Sequence, residues 1–212
     1  MLTSIQIHKG KNLEVLILPV GQMHANCYLI VDKKTSNCLI LDPGDDAEYI
    51  ESIISDRTLK PLKIICTHGH FDHIGAVLTL KLAYQIPFLI SKKDEFLLKK
   101  ARNSASHFVG IDTGPAPKVD KYTEEKASIL FGKNRFQILE TPGHTPGSIC
   151  LYSKEENILF AGDLIFAEGG VGRTDFSYSK ASQLQISLQK IFKLPKNTLI
   201  FPGHGEGFIL SS

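Results

Sequence analysis

The sequence is short of the features that mark several large protein classes. Its four cysteines, Cys27, Cys38, Cys66 and Cys150, show no CxxC spacing, and each lies in or beside an apolar run. That argues against a cysteine-based metal or redox motif and leaves four small buried hydrophobes in a reducing compartment. No apolar stretch approaches the ~18 residues that a membrane crossing needs. The opening residues, MLTSIQIHKGKNLEV, lack a basic start followed by a long apolar core. No secretory signal is therefore expected, and the chain reads as cytoplasmic. Net charge is scarce too: the formal balance is +2 at pH 7, too small to point to a nucleic-acid or membrane partner. With 212 residues, 42% of them hydrophobic, one domain over residues 1–212 with its own core is the simplest organisation.

What is present is a succession of strand and helix patterns. SIQIH, LEVLILPV, NCYLIVD and NCLILDP are apolar or alternating runs, the last two joined as a hairpin through residues 33–36. AEYIESIISDR has helical spacing with Ile50, Ile53 and Ile54 on one face, and Asp45 or Asp46 as its N-cap. A strand LKIIC, a helix from about Ile74 to Ala83, a strand FLIS and a helix KKDEFLLKKAR follow. The polar stretch DTGPAPKVDKYTEEK (112–126) predicts a surface loop. The second half repeats the theme with strands SILFG, RFQILE, SICLYS and NILFA, a helix from about Lys180 to Phe192 and a last strand TLIF. Two β-rich halves, each followed by helices, predict an α/β chain with two sheets face to face and helices outside, a four-layer αββα sandwich.

The chemistry-bearing residues gather where apolar strands stop. LKIIC runs into THGHFDH, FQILE into TPGH with His144, NILFA into GD with Asp163, and TLIF into PGH with His204. Sheets of this kind place their chemistry on loops just beyond the strand ends. Residues two apart in an extended segment project the same way, so His68 and His70 can grip one ion together. Asp72 and His73 begin the next turn and suit a neighbouring ion. Asp163 has two oxygens and can bridge; His144 would complete the first site and His204 the second. Each ion keeps room for water, which marks a catalytic site. With no cysteine in the set, the ions are two divalent metals of borderline or hard character, zinc first, with iron or manganese as alternatives. His8, His24 and His107 fall outside this pattern and read as ordinary polar residues.

In these words the chain resembles the metallo-β-lactamase superfamily, and within it the short glyoxalase II-type, hydroxyacylglutathione hydrolase-like enzymes. LILDPGD, THGHFDHIGA, TPGHTPGS, FAGDLIF, GGVGRTDF and FPGHGE follow one another in order along nearly the whole chain. The resemblance implies the αββα sandwich. It also implies a first ion on His68, His70, His144 and Asp163, and a second on Asp72, His73, Asp163 and His204. It gives Asp42 a role in supporting the metal loop, the alternative being a plain turn aspartate. It gives Arg173 contact with the glutathione part of a substrate, the alternative being a surface pair with Asp175. Longer glyoxalase II enzymes carry a C-terminal helical domain. This chain ends eight residues after His204, so a thiol carrier other than glutathione stays open.

A water shared by two cations is acidified towards pKa ~7, and the bridging hydroxide can attack a carbonyl whose oxyanion a metal stabilises. A thiol of pKa about 8.5 leaves as thiolate with little need of a proton. The catalytic candidates are Asp163 and Asp72, the latter to orient the hydroxide. The activity expected is hydrolysis of a small acyl-thiol such as S-D-lactoylglutathione to a hydroxy acid and free thiol. Rivals on the same scaffold are a persulfide dioxygenase with one iron on His68, His144 and Asp163, a lactonase or other hydrolase, and a non-catalytic metal-binding module.

Overall fold

The β-rich start folds into a meander in the computed structural model, which describes residues 5–210. β1 (Gln6–Lys9), β2 (Leu13–Val20), β3 (Ala25–Asp32) and β4 (Asn37–Leu41) pair antiparallel in chain order. Three further strands then add in parallel, which requires crossovers. α1 (Ala47–Asp56) leads to β5 (Lys60–Ile65). The pair α2 (Phe71–Ile74) and α3 (Val77–Tyr84) leads to β6 (Phe88–Ser91), and α4 (Glu95–Val109) to β7 (Lys121–Thr123). The second half has the same logic. β8 (Ser128–Phe131), β9 (Asn134–Glu140), β10 (Ile149–Ser153) and β11 (Ile158–Gly162) form a meander. α5 (Ala181–Ile191) then crosses to β12 (Leu199–Pro202), parallel to β11, and β13 (Phe208–Ile209) closes the edge.

The period-two alternation of the strands divides the core into three. Cys27, Leu29 and Val31 of β3 face α1, α3 and α4, where they meet Ile50, Ile54, Val77, Leu80 and Leu98. Tyr28 and Ile30 of the same strand face the other sheet, with Phe136, Ile138, Leu151, Phe160 and Phe201. The outer face of that second sheet packs Cys150, Leu159, Ala161 and Ile200 against Leu184 and Ile191 of α5. Every residue of β3 is buried for this reason: it has a hydrophobic layer on both sides. The result is the expected αββα sandwich. All four cysteines are free and buried. Among the described residues no helix is long and apolar enough to cross a membrane.

Four local details depart from the sequence reading. The stretch 112–126 is not all loop, since Lys121–Thr123 forms β7 against β6. Only Thr123 of that strand is buried, so no apolar alternation announces it. The helix expected from about Ile74 to Ala83 starts later, as α3, with the short α2 before it, and at the junction the Ala76 N–H donates to the Pro43 carbonyl and ties it to the LDPG loop. The helix after FLIS runs on to Val109, ending at Gly110 in the left-handed region at φ +71°. Asp46 does precede α1, but its carboxylate accepts from the Gly21 N–H instead of capping its own helix.

Candidate metal centre

The loops leaving β4, β5, β9, β11 and β12 are laced to one another by backbone hydrogen bonds. Ile149 N–H donates to the Thr67 carbonyl at 2.9 Å, Gly203 N–H to Gly162 at 2.8 Å, and Asn26 N–H to Gly203 at 2.7 Å. The Asn26 amide also donates to the carbonyls of Pro202 and Gly205, and the Tyr28 hydroxyl donates to Pro202. β3, an inner strand of one sheet, thus holds the PGH loop of the other. Tyr28 is in turn fixed edge-to-face on Phe160 and Phe201, with centroids 5.1 and 5.6 Å away.

On this frame all seven predicted residues meet. His68 Nε2 and His144 Nε2 stand 3.1 and 2.9 Å from His70 Nδ1. Beside them His204 Nε2 is 3.4 Å from both Asp72 Oδ2 and His73 Nε2. Asp163 faces both groups. Its Oδ2 is 3.5 Å from His144, 3.7 Å from His204 and 4.0 Å from His68, while Oδ1 is 3.4 Å from His73. Asp42 lies behind the cluster, fully buried with φ +51°, a backbone state that aspartate tolerates better than most residues. It accepts from Thr67 N–H at 2.7 Å, Thr67 Oγ1–H at 2.6 Å and His73 Nδ1 at 3.1 Å.

These partners assign the ring protons. His144 Nδ1 faces the Arg173 carbonyl at 2.8 Å and His204 Nδ1 the Met23 carbonyl at 3.1 Å. A carbonyl only accepts, so both Nδ1 atoms carry a proton and both Nε2 atoms are turned to the cluster. His73 Nδ1 likewise donates to Asp42. Thr67 gives its hydroxyl proton to Asp42, so it accepts from His68 Nδ1 at 3.0 Å, which leaves His68 Nε2 bare. His70 Nε2 lies 2.9 Å from the Tyr178 hydroxyl, and its Nδ1 is turned to the nitrogens of His68 and His144. With every ring neutral, lone pairs would point at lone pairs and at carboxylate oxygens, a repulsion that protons on His73 and His204, or cations, would relieve.

This donor set fits divalent cations. A tetrahedral ion with bonds of 2.0–2.1 Å needs ligand atoms about 3.4 Å apart, and the spacings above cluster there. Asp163 Oδ1 is buried with no hydrogen-bond partner among the described residues. A Cβ at position 203 would run into that same oxygen, so Gly203 keeps the space beside it clear. Among the described residues, the ion pairs of Asp42, Asp72 and Asp163 are with histidines, not with lysine or arginine. The proton equilibria express the same need for positive charge. Burial holds His68 well below the usual imidazole range and takes His70 down to about 3. Burial opposes ionisation of Asp163, yet His73, His68 and His204 around it hold its carboxyl well below the usual range. Burial also opposes charging His73, but Asp163, Asp72 and Asp42 outweigh it and raise this ring. His204 is raised in the same way, chiefly by Asp72 and Asp163.

The cluster forms the floor of a cleft of about 740 Å³, with Phe71, Phe108, Phe166, Phe176 and Tyr178 among its walls. Arg173 lines it as well. Its fork is already engaged by Asp175, with Nε and a terminal nitrogen 2.7 and 2.6 Å from the carboxylate oxygens.

Two residues outside the sequence reading brace the site. Tyr178 orients His70 as described. Asp94, fully buried, accepts from the Gly69 N–H at 3.0 Å, Thr145 Oγ1–H at 2.6 Å and Gly147 N–H at 2.6 Å. It ties the loop of His68 and His70 to the loop of His144. Inside KKDEFLL it looks like one more polar residue at a helix start. The buried donors it satisfies come from segments 25 and about 50 residues away.

Comparison with known proteins agrees with this geometry. The family model described as Metallo-beta-lactamase superfamily matches residues 20–204. The hydroxyacylglutathione hydrolase GloC of Haemophilus influenzae is 35% identical over 197 residues, covering 92% of each chain. The crystal structure of the B3 metallo-beta-lactamase BLEG-1 superposes with TM-score 0.85 at 34% identity, covering 92% of this chain and 93% of that one. The structure of TTHA1623 in a di-iron-bound form gives TM-score 0.83 at 34% identity, over 92% and 94% of the two chains.

Proposed function

The chain belongs to the metallo-β-lactamase superfamily, and from that premise we propose that it is a dimetal hydrolase of thioesters. The observation that carries the reading is the completeness of the second ligand group. Asp72, His73 and His204 converge next to His68, His70 and His144, with Asp163 turned to both. A one-iron oxygenase would use only His68, His144 and Asp163. We assign His68, His70, His144 and Asp163 to one ion and Asp72, His73, Asp163 and His204 to the other, with zinc as the resident metal. GloC, named for hydrolysis of a hydroxyacyl glutathione thioester, supports an acyl-thiol as the substrate class.

Two divalent ions, when bound, supply hydroxide at neutral pH and a Lewis acid for the carbonyl oxygen. The chain's own residues do the rest. Asp163, whose oxygens face the histidines of both groups, would be the residue the two ions share. Asp72, 3.4 Å from His204, presents its carboxylate to the cleft and orients the attacking water. Asp42, Asp94 and Tyr178 fix the ligand loops and ring tautomers, so the donors need not reorganise during the reaction. The leaving thiolate needs no strong acid beside it, and Tyr178, pushed up to about 12 by burial and by the charge of Asp94, is not asked to be one. The four buried free thiols suit a reducing cytoplasm.

The test is to count metal per chain in the purified protein, then follow thiol release from a thioester panel that includes S-D-lactoylglutathione. Oxygen uptake with glutathione persulfide is recorded in parallel. Two ions per chain and thiol release without oxygen uptake are expected. One iron per chain with oxygen consumption would overturn the proposal in favour of a dioxygenase.

A further inference from the structure

The walls of the cleft have a chemical character that hydrolysis alone does not require. Phe71 and Phe108 stack, with centroids 6.1 Å apart and planes 6° from parallel. Phe176 and Tyr178 stack at 5.3 Å and 11°. At the rim Met23, Phe108 and Val171 leave 46%, 53% and 44% of their surface exposed. Large apolar side chains kept in water around a concave site mark a surface made for an apolar ligand. Polar anchoring is sparse by comparison. Among the described residues lining the cleft, Arg173 is the one lysine or arginine, and its guanidinium is occupied by Asp175 and lies 4.4 Å over the Phe176 ring. A tripeptide thiol such as glutathione, with two carboxylates and an amine, would find few partners for its charges here.

We propose that the cleft seats a bulky apolar acyl group of the thioester, a medium-length alkyl chain or an aromatic ring, and selects substrates by that group. The proposal rests on the thioesterase reading and refines its substrate. A small hydroxyacyl group would leave most of the aromatic wall in contact with water. Each methylene taken out of water strengthens binding roughly fourfold, so acyl length is the variable to change.

The test uses metal-loaded protein and N-acetylcysteamine thioesters, whose carrier has no charge, with acetyl, hexanoyl and phenylacetyl groups. Equilibrium binding of the uncleavable S-methyl and S-hexyl thioethers is measured alongside. Both kcat/KM and thioether affinity are expected to rise about tenfold or more from the short to the long member. Phe108→Ala, at a half-exposed helix end, should shrink that ratio to about threefold or less. A flat or falling series in both measurements overturns the proposal, as does a Phe108→Ala variant with the ratio unchanged. If no thioester is cleaved at all, the hydrolase reading falls, and the thioether series still decides whether the apolar seat exists.

Discussion

The two groups of metal-facing residues differ in donor chemistry and in what holds them. The first, His68, His70 and His144, presents three imidazoles and is buried, with His68 and His144 almost without exposure. The second, Asp72, His73 and His204, contains a carboxylate, and its His204 side chain keeps about a quarter of its surface open. Their braces are unequal as well. Asp94 touches only the loops of the first group. Asp42 reaches both, His73 directly and His68 through Thr67. The more enclosed group is thus the one with its own additional clamp. Asp163 is the one of the seven whose carboxylate faces histidines of both groups.

That asymmetry can be broken in a graded way. The largest effect belongs to Asp163→Ala, which should remove turnover to background and leave less than one ion per chain by elemental analysis. A variant that keeps both ions would dissolve the idea of a shared ligand. Next come the braces. Losing a partner that orients metal-ligating residues costs about 10–100-fold in metal affinity. Asp42→Asn should therefore weaken both sites by that order in a chelator competition. Asp94→Asn should weaken one site and spare the other, giving a biphasic titration. Equal weakening of both ions by Asp94→Asn would mean that the two groups are mechanically one.

Much of this was legible in the sequence, for a physical reason. A strand that ends in a short turn presents the next side chain at the sheet edge, so His144, Asp163 and His204 could be placed without knowing the fold. The spacing of His68, His70, Asp72 and His73 likewise divides them into two groups. The braces were not legible. Asp94 acts through three hydrogen bonds to loops that sequence distance hides. Tyr178 sits in SYSK, where nothing periodic marks it, yet its hydroxyl meets His70 Nε2. The same limit hid β7, whose single buried residue gives no alternation, and the junction of α2 and α3, which a hydrogen bond ties to Pro43. Arg173 shows the limit from the other side. Its motif left substrate contact and a pair with Asp175 both open, and only the folded turn shows the pair made.

The smallest predicted effect separates the two groups by the sign of their response to pH in protein stripped of metal. The folded state keeps His68 and His70 neutral, with His70 down at about 3. As pH falls below the ordinary imidazole value near 6.5, the unfolded chain takes up protons that these rings refuse, so their contribution to stability is lost on acidification. For His70 the window runs from about 6.5 down to about 3. His73 and His204 are shifted the other way. Their contribution is fully present below about 6.5 and is lost as pH rises through their raised values. In thermal melts across pH, His70→Gln should flatten the acid limb of the stripped protein, and His204→Gln should flatten the limb above neutrality. Restoring metal should remove the alkaline-side loss, because the cations take over the positive charge that His73 and His204 otherwise borrow from protons. If both substitutions flatten the same limb, the two groups share one electrostatic environment, and the distinction between them is only one of position.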